Sequence, residues 1–288
     1  MSGPRVTVIM PCYNSEEYVA QTIETVLEQS YRNFHFVAGN DGSTDNTAEI
    51  LLNYADVITI VEHADRGNYG QAATYNLCLT HVKTEFIAFI DNDDLWHPDK
   101  LLKQVEAMDD NPDVGFVYTN GDVIDSNGEV LYPFFDDTHR ETNEMGAILL
   151  DCYVRTPSAV MVRTSILQSA GNFKEGMIPD QDMWIRIKEL TDFHFIDQKM
   201  IQYRTHNKQL SNLSNEKMWH DAFKTLHDAM ERYPYERSLY RKRCAVIHFR
   251  LGKCAVRNRS YLRTLYHFFT AFMSDPLRSI LNIKQVLQ

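Results

Sequence analysis

Two phosphate-binding signatures are missing from this chain. No Gly-x-Gly-x-x-Gly follows its first apolar run, and no Gly-x4-Gly-Lys-Ser/Thr occurs anywhere, which argues against an ordinary dinucleotide or P-loop enzyme. Cysteine is sparse: Cys12, Cys78, Cys152, Cys244 and Cys254 are odd in number and scattered, with no Cys-x-x-Cys. That pattern argues for reduced thiols in a cytosolic protein and against a disulfide framework or zinc site. No charged-then-apolar leader opens the sequence, and no stretch approaches the roughly 18 apolar residues of a spanning helix. Neither a standard secretory signal nor an integral membrane segment is therefore expected. Positive charge is scarce where most of the chain lies. The first 240 residues hold 19 Lys/Arg and 38 Asp/Glu, a net of −19, against −10 for all 288. Such an acidic body disfavours nucleic acid as a partner.

What is present is ordinary for a globular protein: 44% hydrophobic and 24% charged residues, in a chain long enough to bury an ample core. Arg5 to Pro11, Phe34 to Ala38, Val57 to Val61 and Phe86 to Ile90 read as strands. Helical spacing falls between and after them, over Glu16 to Gln29, through Ile50 and Leu51, over Gln71 to His81 and from Pro98 to Met108. Four alternations with short connections predict an α/β fold, a parallel sheet covered by helices on both faces. After Val114 to Tyr118 the texture changes. Asn127-Gly128 signals a hairpin, Thr142 to Tyr153 a helix and Ala159 to Val162 a strand. Asp180 to Leu190 reads as a helix with Met183, Ile187 and Leu190 on one side. Phe193 to Ile196 and Lys199 to Tyr203 read as short strands, and beyond Ser211 the pattern is mostly helical.

The tail reverses the charge balance. Arg241 to Gln288 carries ten Lys/Arg and one acid, Asp275, so it is suited to an anionic surface or to folding back on the acidic body. Within it Tyr261, Leu262, Leu265, Phe268, Phe269 and Phe272 share one helical face, with Arg259, Arg263 and His267 opposite. Two readings stand: a basic amphipathic helix at a lipid interface, or a stripe packed on its own domain. Ser274-Asp275-Pro276 ends this helix and starts another.

Chemistry gathers in four places. Asp91-Asn92-Asp93-Asp94 follows the buried strand Phe86 to Ile90, where ligands of open α/β sheets bind. Carboxylates crowded there repel one another unless a cation intervenes, and oxygen ligands suit Mg²⁺ or Mn²⁺. The alternative is an acidic turn capping the next helix at His97-Pro98-Asp99. Pro11-Cys12-Tyr13-Asn14 ends the first strand; Tyr13 is either a stacking surface for a nucleobase or a packing residue. Asn40-Asp41-Gly42-Ser43 ends the second. Asn40 offers a donor and an acceptor to a base edge, or simply builds an Asx turn. Asp180-Gln181-Asp182 begins a helix, where acids complement the helix dipole or serve as a general base. His206 stands about twenty residues later, as a metal ligand, a phosphate contact or neither.

Together these clusters resemble the family-2 inverting glycosyltransferases of the GT-A fold. Pro11-x-Tyr13-Asn14, Asn40-Asp41-Gly42-Ser43-Thr44-Asp45, Asp91-Asn92-Asp93-Asp94-Leu95-Trp96, Asp180-x-Asp182-Met183-Trp184 and Tyr203-Arg204-x-His206 match in order and spacing. The resemblance implies a nucleoside-diphosphate sugar donor held by Pro11, Tyr13, Asn40, Gln71, Asp91 and Asn92. It implies Mg²⁺ or Mn²⁺ on Asp93, with Asp91 and His206 beside it, and Asp180 as catalytic base with Asp182 as second choice. It implies a metal-dependent hexosyltransferase acting in surface polysaccharide or glycan assembly; a glycan or lipid-linked acceptor is expected, the lipid-linked one from the basic amphipathic tail alone. Residues 1–110 would form the nucleotide-sugar half, 111–210 the acceptor and base half, and 211–288 a basic helical extension meeting anionic membrane at the inner, cytoplasmic face. Three of the motifs depart from the family pattern. Asn40 replaces an Asp, leaving the nucleotide base open; Pro179 precedes Asp180 where Glu is usual; and Thr74-Tyr75-Asn76 replaces Ala-Arg-Asn. The alternatives are a sugar nucleotidyltransferase, which would carry a basic Gly-rich loop after the first strand, or a non-catalytic sugar-nucleotide module.

Overall fold

The computed structural model describes residues 3–136, 138–209 and 216–279. The chain divides into two compact units. The first comprises 1–143, 154–175 and 186–207 and contains one nine-stranded sheet. Its opening half is the expected alternation: β1 (Val6–Cys12), α1 (Val19–Leu27), β2 (Phe34–Asn40), α2 (Thr47–Leu52), β3 (Thr59–Glu62), α3 (Gln71–Leu79) and β4 (Phe86–Phe89). The strands lie in the order β3-β2-β1-β4, all parallel. β1 and β4 are buried at every position, as strands covered on both faces must be.

The sheet continues through β5 (Leu95–Trp96), α4 (Lys100–Asp110), β6 (Val114–Ile124), β7 (Val130–Pro133), β8 (Val160–Arg163), α6 (Thr164–Ala170) and β9 (Asp192–Arg204). β8 joins β4 antiparallel and β6 lies beyond it. β6 and β7 form the hairpin signalled by Asn127-Gly128, where Gly128 adopts φ +91°. The two short strands expected near Phe193 and Lys199 are one continuous β9, running parallel to β6 with irregular register at Thr119 to Gly121. Close approach explains part of that irregularity: a Cβ on Gly121 would meet the Ile201 carbonyl oxygen at 2.4 Å. β5 pairs with the end of β9, Leu95 opposite Gln202.

The second unit comprises 144–153, 176–185 and 208–288. Two internal segments thus join the C-terminal helices, which a division of the chain at residue 210 does not anticipate. Its described helices are α5 (Met145–Leu150), the first part of α7 (Pro179–Lys188), α8 (Glu216–Arg232), α9 (Arg237–Arg257) and α10 (Tyr261–Ser274). The expected start of the helical region at Ser211 lies outside the described residues. A further helix opens at Pro276, and its course past residue 279 also lies outside them. None of the described helices is long and apolar enough to cross a membrane.

Two amphipathic readings are corrected. α7 is buried at every position from Gln181 to Lys188, not along one stripe, while Leu190 is exposed. Its polar residues find internal acceptors: Arg186 donates to the Ala170 and Asn172 carbonyls, and Lys188 to Asn143 and Asp192. In α10 the buried face is His267 and Ala271, not the aromatic stripe. Gly252 of α9 allows this packing, since a Cβ there would lie 2.7 Å from the Phe268 ring.

Candidate active site

At the C-terminal rim of the parallel strands, three turns of chain are tied together by side chains. Past β1, Asn14 adopts φ 47°, a conformation Asn tolerates better than most residues, and its Oδ1 accepts the Thr44 N–H at 2.8 Å. Past β2, the buried Asp41 carboxylate accepts the Tyr69 and Gly70 N–H groups at 2.8 and 2.9 Å, fixing the loop that starts α3. Gly42 follows at φ +67°, and a Cβ there would lie 2.7 Å from the Arg66 carbonyl oxygen and the Gly67 carbonyl carbon. Gly42→Ala should therefore cost about 1–3 kcal/mol and displace this loop, readable as a lower urea midpoint at unchanged slope.

The expected donor residues fall on this rim in different states. Tyr13 is 46% exposed, its ring open to solvent. Pro11 is buried in β1, and its carbonyl accepts from Asn92 Nδ2 at 3.0 Å, joining the ends of β1 and β4. Asn40 is buried; its Oδ1 accepts the Ser43 N–H at 3.2 Å and its Nδ2 donates to Glu62 at 2.8 Å. One donor proton and one acceptor lone pair of the amide remain for other use. Gln71 opens α3 and contacts the Tyr75 hydroxyl, which in turn lies 3.4 Å from Asp91 Oδ1.

The carboxylate cluster is the densest feature. No side chain caps α4, so the turn does not serve as that helix's N-cap. Asp94 is wholly buried: its Oδ1 accepts the Arg204 N–H at 2.9 Å, and its Oδ2 lies 3.2 Å from Thr156 Oγ1. The same hydroxyl lies 3.1 Å from Asp91 Oδ2. A hydroxyl has a single proton to give, so the two carboxyls compete for it or share it. Burial, then the charges of Asp93 and Asp91, push Asp94 well above the usual carboxylate range. Asp93 stands at the rim with His206 Nε2 2.8 Å from its Oδ2. The His206 ring packs on Tyr18 at 4.9 Å between centroids. Arg204 lies over the same Tyr18 ring at 4.7 Å and donates to the Asp93 carbonyl and to Gln21.

Behind the cluster Trp96 donates its indole N–H to the Ser158 carbonyl, and the Ser158 hydroxyl accepts the Asp91 N–H. Lys100 is fully buried, its Nζ 3.9 Å from the Trp96 ring centre and donating to Gln104. Burial holds its ammonium well below the ordinary lysine value of 10.5. The unfolded chain therefore binds this proton more readily than the folded one, and stability rises with pH through the window ending near 10.5. Lys100→Met should be more stable than wild type at neutral pH, by a margin that narrows toward that upper limit; denaturant titrations at the two pH values measure it.

Asp180 and Asp182 belong to the second unit, in the first turn of α7. Asp182 is fully buried. Asp180 is half-buried, and loss of water around it raises its carboxyl above the ordinary value.

Thr156, Ser158, Gln21 and Tyr18 carry much of the site's support without standing out in the sequence. Among the described residues no group of three His, Cys, Asp or Glu side chains forms a ready-made metal cage. Mg²⁺, however, is commonly held by one or two carboxylates with the rest of its shell from substrate phosphates. The Asp93–His206 pair at the rim, beside Asp91 and the buried Asp94, fits that kind of site.

Comparison with known proteins gives the fold and the family. A protein of Rickettsia typhi described as an uncharacterized glycosyltransferase is 27% identical over 221 residues, 73% of this chain and 67% of its own length. A Rickettsia felis relative described in the same words matches at 29% over 72% of this chain but only 35% of its own. A UDP-Glc:α-D-GlcNAc-diphosphoundecaprenol β-1,3-glucosyltransferase of Escherichia coli is 35% identical over 43% of this chain and 49% of its own. Among solved structures, S. aureus TarS with UDP-GlcNAc superposes at TM-score 0.70 and 18% identity, covering 96% of this chain and 82% of that one. The mannosyltransferase PcManGT of Pyrobaculum calidifontis, with GDP-Man and Mn²⁺, superposes at 0.64 and 16% identity over 100% and 81% of the two chains. These likenesses show the GT-A fold. The sequence model of glycosyl transferase family 2 matches residues 7–171, more than half of the chain, and to that family the chain belongs.

Proposed function

We propose that this chain is a metal-dependent inverting hexosyltransferase that moves a sugar from a nucleoside-diphosphate sugar to an acceptor hydroxyl in surface polysaccharide or glycan assembly. The observation that carries the reading is the rim cluster, Asp91, Asp93 and Asp94 at the carboxyl end of β4, with His206 2.8 Å from Asp93. The donors bound by TarS and PcManGT, and the lipid-diphosphate acceptor named for the Escherichia coli relative, support the substrate classes. Asn40, where the family pattern has Asp, leaves the nucleotide base open.

Asp93 and His206, with Asp91 adjacent, would hold Mg²⁺ or Mn²⁺. When bound, such an ion neutralises charge on the leaving diphosphate. Tyr13 offers its exposed ring to the base. Asp180 takes the acceptor proton while the acceptor oxygen bonds to the anomeric carbon and the bond from that carbon to the diphosphate breaks. One displacement inverts the configuration. A melting-temperature panel of nucleoside diphosphates and their sugars, with and without Mn²⁺, should show selective stabilisation, and NMR of the product should show the anomeric configuration opposite to the donor's. A retained configuration would sink the single-displacement mechanism. Pyrophosphate release from a nucleoside triphosphate and sugar phosphate would favour a nucleotidyltransferase. Binding with neither transfer nor hydrolysis would favour a non-catalytic module.

A further inference from the structure

We infer that the outer face of α10 binds an anionic lipid bilayer. The face is a continuous apolar stripe in solvent: Leu262 is 84% exposed, Leu265 68% and Phe269 65%, with Tyr261, Tyr266, Phe272 and Met273 also exposed. These positions repeat at three- and four-residue spacing over the whole helix, the pattern that normally seeks a core. The helix's other face is already used, since His267 and Ala271 are buried and Phe268 lies against Gly252 of α9. Single exposed apolar residues need no explanation, but a stripe of seven large ones marks an interaction surface.

Charge selects the occupant. Residues 241–279 hold nine Lys/Arg and a single acid, Asp275. Arg257 and Arg259 stand exposed at the start of the stripe, beside the exposed Val256, and Arg263 sits on the next turn in an ion pair with Glu216. A helix with Leu and aromatic residues on one side and a cationic margin lies in the headgroup region, its stripe in the acyl boundary and its Arg residues on lipid phosphates. Tyr at the stripe's edge suits the same interface. A second copy of the chain fits less well, because a two-fold contact through one patch would bring the exposed Arg257 and Arg259 of both copies to one interface.

Flotation of the full chain with vesicles tests this. The chain should float with phosphatidylcholine vesicles containing a quarter phosphatidylglycerol and far less with phosphatidylcholine alone, and added salt should weaken binding. Leu262→Gln/Leu265→Gln/Phe269→Gln, at positions already in water and therefore unlike core substitutions, should abolish flotation with an unchanged circular dichroism spectrum. Arg257→Gln/Arg259→Gln should weaken binding by about tenfold or more, each basic residue near an anionic surface adding severalfold. The inference is overturned if wild type stays unbound with the anionic vesicles, or if the triple variant floats as well as wild type. A dimer by light scattering that the triple variant converts to monomer, with no vesicle binding, would overturn it too and give the face to self-association.

Discussion

Asp180→Asn should leave donor affinity unchanged and reduce turnover by about 10²–10⁴-fold, the scale of a lost general base. An amide keeps the shape of the carboxylate and one accepting oxygen but cannot take the acceptor's proton. Burial raises the Asp180 carboxyl, which brings a base closer to working pH. The raised value also fixes the direction of the pH dependence. The carboxyl must be ionised to act, so wild-type kcat/KM should fall on acidification at a pH above the ordinary carboxylate range, and the Asn variant should lose that limb. Asp182→Asn is the control. Asp182 is fully buried in the same helix turn, so its variant should report first in the melting temperature. A folded Asp182→Asn with the larger loss of turnover would move the base to that residue.

The second large effect is at the rim. Asp93→Ala should reduce transfer by about 10³-fold or more, because several kcal/mol of stabilisation on a departing diphosphate are at stake and each 1.4 kcal/mol is tenfold. Donor binding should weaken as well, and its Mn²⁺ dependence should vanish from the melting curves. His206, 2.8 Å from Asp93, gives a graded comparison: His206→Ala should retain metal-dependent binding at reduced affinity. Near-wild-type, metal-dependent turnover in Asp93→Ala would end the assignment.

The alternation from β1 to α4 was legible because both periods are clean there: runs such as Val6 to Met10 and Phe86 to Ile90 are uninterrupted, and the connections are short. β9 read as two pieces because Asp197-Gln198 breaks the apolar pattern, and the irregular pairing beside it leaves those residues exposed without ending the strand. α7 read as amphipathic because Arg186 and Lys188 look like a solvent face; the Ala170, Asn172, Asn143 and Asp192 acceptors make their burial tolerable. The ordered motifs named the rim residues. They could not reveal that Thr156 bridges Asp91 and Asp94 across more than sixty positions of chain. Nor could spacing tell which side of α10 packs inward, since His267 partners His248 at 3.0 Å and behaves there as a core residue.

The clasp between Arg204 and the early part of the chain has a temporal consequence. Its guanidinium donates to Gln21 across 183 positions, and its backbone N–H to Asp94 across 110. Closing such loops is slow compared with forming local helices. A ribosome that has made only the first hundred residues has therefore made the acidic turn but not its lock. Until β9 is synthesised and zipped beside β6, Asp94 has no Arg204 amide to accept and Asp93 no imidazole beside it. Competence to grip a donor should thus appear late in synthesis, and a truncated product ending before β9 should fail to bind one.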